Sequence, residues 1–175
     1  MKKTLIAALT LTLLGSAQAF AQEKVIRFAH DSNGDIYDNP NHACASVFAS
    51  IVNTGSNGEL KVEIYPGGQL GTIGEAVQMV RDGVIEVTNA STGALAPYYQ
   101  NIDVLNLPFA FDSNGAADTV FNGPFGHALK KDIEEKLGDV VVLGYPDTGG
   151  LFVISNSEKP ISSLEDMEGI RLRTM

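Results

Sequence analysis

The chain has 175 residues and an acidic balance, with 12 Lys and Arg residues against 21 Asp and Glu residues and a formal net charge of −9. This length suffices for one packed domain. The negative charge and the scattered basic residues argue against nucleic acid as a partner, because an acidic surface repels the phosphate backbone.

The first 21 residues have the pattern of a cleavable export signal. Two lysines precede an apolar run from Leu5 to Leu14, and Ala19-Phe20-Ala21 forms an A-x-A site. An apolar run of about ten residues is too short to cross a bilayer, which needs about 20. We therefore expect export, cleavage after Ala21 and no membrane insertion of the mature chain. Loss of the two lysines takes the formal charge from −9 to −11.

From residue 25 onward, short apolar strands alternate with amphipathic helices. The hydrophobic periodicity predicts strands over 25–29, 60–65 and 84–89, and helices over about 42–53 and 74–81. Glycine-containing turns end both helices, the second at Asp82-Gly83. This β-α-β-α-β order predicts a parallel sheet covered by helices.

The second half of the chain has fewer regular patterns. Apolar residues at helical spacing predict a helix over 125–137, with Phe125, Leu129 and Ile133 on one face. Continuous apolar runs predict strands over 140–145, 151–156 and 170–174. Ser162, followed three residues later by Glu165, predicts a capping box at a helix start.

The residues that usually carry catalysis or bind metals show no recognisable pattern. Cys44 is the only cysteine, so no intramolecular disulfide can form, and its apolar surroundings predict a buried side chain. His30, His42 and His127 lack metal-ligand spacing, and the glycine turn is not a phosphate-binding loop. We therefore predict no catalytic residue, no metal site and no cofactor.

A glycine-rich turn, Tyr65-Pro66-Gly67-Gly68-Gln69-Leu70-Gly71, joins the second strand to its helix and is expected to turn backbone N–H groups toward a small molecule. Together with VIRFAH, which starts at Val25, and the terminal GIRLRTM, this stretch resembles the extracytoplasmic solute-binding proteins of tripartite ATP-independent periplasmic (TRAP) transporters, the DctP family. The resemblance runs from about Val25 to the last residue.

The resemblance implies an α/β, periplasmic-binding-protein-like fold of two lobes. Residues 22–147 would form the first lobe, with a mainly parallel sheet and flanking helices but without its return segments. Residues 148–175 would begin a second lobe that is incomplete here. The expected function is that of a periplasmic receptor, not an enzyme, which binds a small organic acid and delivers it to the TRAP membrane permease subunits. Two alternatives stay open: a secreted α/β enzyme acting on a small molecule, and a ligand-sensing domain of a regulatory system.

Two positions near the end of the chain are singled out by this resemblance. The stretch Asp166 to Thr174 is similar to the family motif D-x-x-G-x-K-I-R-V, which implies that Arg173 grips the carboxylate of the solute. A guanidinium suits this role because its two parallel donors match two carboxylate oxygens. Phe152 stands where the family often has an arginine. An apolar ring there favours a monocarboxylate with an apolar or aromatic portion, unless Phe152 only packs between lobes.

The remaining candidate ligand-binding residues lie where the three predicted parallel strands end. Open α/β sheets bind ligands at this edge. The candidates are His30 and Asp31 after the first strand, Thr72 and Glu75 after the glycine turn, and Ser91 and Thr92 after the third strand. Local roles remain an alternative, since Glu75 could compensate a helix end and Ser91 and Thr92 could begin a turn.

Overall fold

A computed structural model of the protein describes residues 23–107, 110–147 and 156–171. Within them, three strands form one sheet: β1 (Lys24–Ala29), β2 (Leu60–Tyr65) and β3 (Val87–Thr88). β1 is central in the order β2-β1-β3, and both neighbours run parallel to it. The predicted parallel sheet is therefore confirmed.

Helices connect these strands and follow them. They are α1 (Pro40–Gly55), α2 (Ile73–Arg81), α3 (Thr92–Leu95), α4 (Asn114–Phe121) and α5 (Pro124–Leu137), with 3-10 turns at Gln100–Asn106 and Glu165–Met167. α1 begins two residues earlier than predicted because Asn39 caps it and Pro40 occupies its first position. No helix among the described residues has the length and apolar character needed to span a bilayer.

The sheet is covered on both faces because strand side chains alternate between them. On one face, Phe28 and Val62 pack against Ala45 and Ala49 of α1. On the other face, Ala29 packs with Ala76 of α2 and with Ile85. The β1-to-β2 and β2-to-β3 crossovers run in opposite directions across the sheet. Right-handed crossovers then place their helices on opposite faces.

A third apolar cluster forms around α5. Leu129, Ile133 and Leu137 are buried there against Tyr99 and Ile102. The predicted apolar face of α5 is thus confirmed for Leu129 and Ile133. Phe125, the third residue placed on this face, lies in the first turn of α5 and remains 45% exposed.

The predicted strand over 140–145 is wrong, because these residues form no ladder with any described strand. Val141 and Leu143 are 70% and 66% exposed. A groove of about 490 Å³ lies between this segment and the β3 edge, lined by Ile85 and Val87 on the β3 side. An apolar run supplies β propensity, but a strand also requires a neighbour within hydrogen-bond distance.

The predicted strand over 84–89 is shortened to the two residues of β3. The backbone N–H of Arg27 in β1 donates to the side-chain carboxylate of Glu86 at 2.7 Å. A side-chain acceptor therefore replaces the backbone carbonyl of a regular strand ladder at this position. The Arg27 guanidinium also donates two bonds to the same carboxylate. The predicted strands over 151–156 and 170–174 lie mostly outside the described residues.

The predicted burial of Cys44 is also wrong, since its side chain is exposed. Cys44 shares the outward face of α1 with Val47 and Ile51, whereas Ala45 and Ala49 face the sheet. Small alanine side chains let the helix approach the strands closely, which explains why this face is buried and the bulkier one is not.

The predicted capping box from Ser162 to Glu165 is replaced by a different arrangement. The carboxylate of Asp166 accepts the backbone N–H groups of Ser162 and Ser163, each at 2.9 Å. These bonds lower the pKa of Asp166 from its usual value. Only a 3-10 turn follows, not an α-helix.

Candidate functional site

The C-terminal ends of β1, β2 and β3, with the residues that follow them, form the strand-end surface. Ala29 pairs with Tyr65 on one side and with Thr88 on the other, so the three strands stop side by side. The Thr88 hydroxyl also donates to the carbonyl of Ala29 at 3.0 Å. His30, Pro66 and Asn89 therefore follow the strands at one edge of the sheet.

The glycine turn is attached to the end of β1. Gly67 N–H donates to the carbonyl of Ser32 at 2.8 Å, and Gly68 N–H donates to that of His30 at 3.1 Å. Both glycines have positive φ angles, 62° and 70°, which L side chains adopt rarely. The expectation that these N–H groups face a small molecule is wrong, because each already has a backbone acceptor.

His30 is the buried polar residue of the strand-end surface, with 2% of its area exposed. Its Nε2 lies 3.0 Å from Nδ1 of His42, and its ring meets that of Phe28 edge-on. Burial lowers the pKa of His30, and repulsion from His42 lowers it further, whereas the Asp31 carboxylate acts in the opposite direction.

A chain of uncharged polar side chains runs across the same surface. The Asn89 amide donates to Asn41 at 3.1 Å, and the Asn41 amide donates to the Ser32 hydroxyl at 2.9 Å. Ser32 in turn donates to the exposed carboxylate of Asp31 at 3.3 Å. These side chains join the ends of β1 and β3 to the first turn of α1.

Four further side chains of the strand-end surface were not among the candidates from the sequence: Ser32, Asn41, His42 and Asn89. The signal that could have revealed two of them is Asn39 followed by Pro40. An N-cap residue before a proline fixes the first turn of a helix. That start places Asn41 and His42 in the first turn of α1, beside the end of β1.

Thr72 and Glu75 form a capping box at the start of α2. The Thr72 hydroxyl accepts the Glu75 N–H at 3.3 Å, and the Glu75 carboxylate accepts the Thr72 N–H at 2.7 Å. The bonds from the Thr72 backbone and hydroxyl lower the pKa of Glu75. Both side chains therefore have local partners, and their role in ligand binding remains a prediction.

Ser91 and Thr92 also have local partners. The Ser91 hydroxyl caps α3 by accepting the Ala94 N–H at 3.3 Å. The Thr92 hydroxyl donates to the side-chain oxygen of Asn106. Of the six strand-end candidates, Asp31 belongs to the chain of polar side chains that reaches Asn89, and His30 contacts His42.

Arg173 and Phe152 lie outside the described residues, so their predicted roles stay predictions. Arg171, the other arginine of the motif, is exposed. Among the residues that the structure describes, no three His, Cys, Asp or Glu side chains come close enough together to hold a metal ion.

Comparison with known proteins identifies the family. Residues 36–175 match the profile of DctP, the bacterial extracellular solute-binding protein family 7, and the chain belongs to this family. Its members are solute-binding proteins rather than enzymes.

The relatives show how much of the family length is represented. The C4-dicarboxylate-binding protein DctB of Bacillus subtilis is 28% identical over 197 aligned positions, covering 99% of this chain and 54% of DctB. The crystal structure of the sugar acid binding protein DctPAm from Advenella mimigardefordensis, in complex with galactonate, is 32% identical with a TM-score of 0.61. That match covers 65% of this chain and 36% of DctPAm.

An apo, open TRAP periplasmic solute-binding protein from Rhodobacter sphaeroides is 29% identical with a TM-score of 0.61. The match covers 84% of this chain and 46% of the chain in that structure. The chain therefore spans about half the length of the curated relatives it matches.

Proposed function

We propose that the chain forms part of a periplasmic receptor that binds a small organic acid and delivers it to the permease subunits of a TRAP transporter. Residues 1–21 act as the export signal, residues 22–147 belong to the first lobe, and residues 148–175 begin the second. Family membership supports the receptor role.

The observation that carries the proposal is the strand-end surface. β1 leads into α1 on one face of the sheet, and β2 leads into α2 on the other. Where connections diverge in this way, an open α/β sheet forms a crevice at the carboxyl ends of its strands, and ligands bind there. His30, Asp31 and the amides of Asn41 and Asn89 supply polar groups at that edge.

The solute class follows from the relatives and from two residues of the motif. DctB binds C4-dicarboxylates and DctPAm was crystallised with galactonate, so both relatives bind organic acids. Arg173 grips the carboxylate of the solute. Phe152 replaces a second cation, which favours an acid with one carboxylate and an apolar portion over a highly charged one.

Nuclear magnetic resonance (NMR) titration of the 15N-labelled chain tests this function. Succinate, galactonate and phenylacetate are added to millimolar concentration, where weak binding is detected. We expect amide shifts that cluster at residues 30–32 and 89–92, with phenylacetate the most effective acid. Shifts that are absent for all three acids, or equal in size over the whole chain, would contradict the proposal.

A matched pair of arginine variants tests the carboxylate grip. Charge-assisted hydrogen bonds contribute about 1.5 to 3 kcal/mol each. Arg173→Lys, which loses the fork, should therefore weaken binding about tenfold or more. Arg171→Lys, two residues earlier in the same motif, should leave the affinity within about twofold. Equal losses in the two variants would remove Arg173 from its proposed role.

A further inference from the structure

The contact between His30 and His42 is the one side-chain bond of the strand-end surface that joins two titratable rings. The ring nitrogens are 3.0 Å apart and the ring centroids 5.2 Å apart. His30 is almost fully buried and its Nδ1 has no hydrogen-bond partner, whereas His42 is half-buried. His127, the third histidine of the sequence, is exposed on α5 and serves as a comparison.

The geometry limits how many protons the two rings can hold. A hydrogen bond between two imidazoles needs one N–H and one bare nitrogen. One added proton converts the pair into an imidazolium bonded to an imidazole, which keeps the bond. A second added proton would point two N–H groups at each other across 3.0 Å and place two positive charges side by side. The contact therefore persists with no more than one positive charge.

The surroundings decide which ring carries that charge. Asp31, next to His30 at the end of β1, is an acidic group that acts on His30. On the β2 side, the Tyr65 carbonyl accepts the backbone N–H of His30 at 3.1 Å, and the turn that follows β2 is uncharged. The neighbouring polar side chains from α1 and β3, Asn41 and Asn89, are uncharged. Because His42 retains contact with water, a charge costs less there than on His30.

We propose that the His30–His42 pair takes up a single proton, carried by His42, and that this charge strengthens the binding of an organic acid at the strand-end surface. The pair links proton uptake to acid binding, so affinity rises as the pH falls. A second proton breaks the hydrogen bond between the two rings. The link to acid binding rests on the proposed function, whereas the behaviour of the pair does not.

The pair is tested first without any acid. Long-range 1H–15N spectra of the histidine rings are recorded in the whole chain from pH 8 to pH 4.5. We expect His30 to titrate below its ordinary pKa range, and each ring of the pair to report the titration of the other. His42→Gln should abolish the His42-dependent step in the His30 signal. A His30 signal that titrates in one step, with no response to His42, would overturn the proposal, and the unmodified chain suffices to observe it.

Acid binding is tested second, with phenylacetate as the probe at pH 6 and pH 8. Uptake of one proton changes an affinity by at most about tenfold per pH unit. We expect several-fold tighter binding at pH 6, retained in His127→Gln and lost in His42→Gln. Equal affinities at the two pH values, with the coupled titration intact, would overturn the link to binding. Absence of binding at both pH values would overturn that link together with the proposed function.

Discussion

The packing of α1 on the sheet can be tested through one aromatic pair. Phe28 of β1 and Phe48 of α1 meet edge-on, with ring centroids 5.6 Å apart and an interplanar angle of 84°. Phe28 is 5% exposed and belongs to the cluster that fills the space between the sheet and α1. Replacing either ring by leucine keeps the site apolar but removes the edge-to-face contact.

The magnitude of this contact follows from its geometry. Each leucine substitution should lower the free energy of unfolding by about 1 kcal/mol, as is usual for an apolar replacement of similar volume. An edge-to-face pair contributes about 0.5 to 1.5 kcal/mol beyond the area that it buries. The double variant should therefore lose less than the sum of the two single losses, by about 1 kcal/mol.

Urea denaturation followed by circular dichroism at 222 nm measures the four free energies of this cycle. A control cycle combines Phe28→Leu with Ile133→Val, which lies in the separate cluster around α5. The control should be additive within about 0.5 kcal/mol. A coupling of zero between Phe28 and Phe48, or equal coupling in both cycles, would refute the described packing of α1.

Three further predictions concern the start of α2 and the buried histidine. Thr72→Ala should lower the free energy of unfolding by about 1 kcal/mol while Thr72→Ser retains the cap, and equal losses would contradict the capping box. Because Thr72 lowers the pKa of Glu75, this difference should be present at neutral pH and shrink as the pH falls below about 4.5. Gly71→Ala should destabilise the fold in thermal melts, since φ is 112° and a Cβ would lie 2.7 Å from the Glu75 carboxylate. Gly74→Ala, with open space inside α2, should stabilise it, and equal signs for the two variants would refute the described turn. Because the pKa of His30 is lowered in the fold, the free energy of unfolding should decrease as the pH falls below about 6.5. His30→Gln should flatten this pH dependence. An unchanged pH profile in the variant would contradict a lowered pKa of His30.

Helices α1, α2 and α5 and the parallel order of the sheet could be predicted because their signals are local, whereas α3 and α4 were not predicted. Apolar spacing predicted the first and last residues of α1, α2 and α5 to within two positions. Helix α2 ends at Asp82-Gly83 as predicted, and Gly83 has a φ angle of 69°. The alternation of strands and helices then leaves a parallel sheet as the simplest arrangement.

The errors occur where the structure depends on partners distant in sequence. Residues 140–145 have the composition of a strand, but no described strand lies within bonding distance of them. Which face of α1 is buried depends on how closely the helix approaches the sheet. The face with Ala45 and Ala49 is buried, and the face with Cys44 is exposed. Neither fact can be deduced from the sequence near these residues.

The candidate site was predicted in position but not in detail. His30 and Asp31 lie at the strand end as the sequence indicated. His42 contacts His30 because α1 starts at Pro40, and this contact spans twelve positions of the sequence. The N–H groups of the glycine turn were expected to be free, yet the loop after β1 folds back and supplies their acceptors.

The location of the bound acid decides whether the strand-end surface is the binding site. A nitroxide-bearing carboxylic acid, 3-carboxy-PROXYL, broadens NMR signals of nearby residues, with its uncharged amide analogue as the control. We predict broadening centred on residues 30–32 and 89–92 with the acid and not with the amide. Broadening centred instead on the surface hollow lined by Tyr98, Asn101 and Lys136 would contradict binding at the strand-end surface.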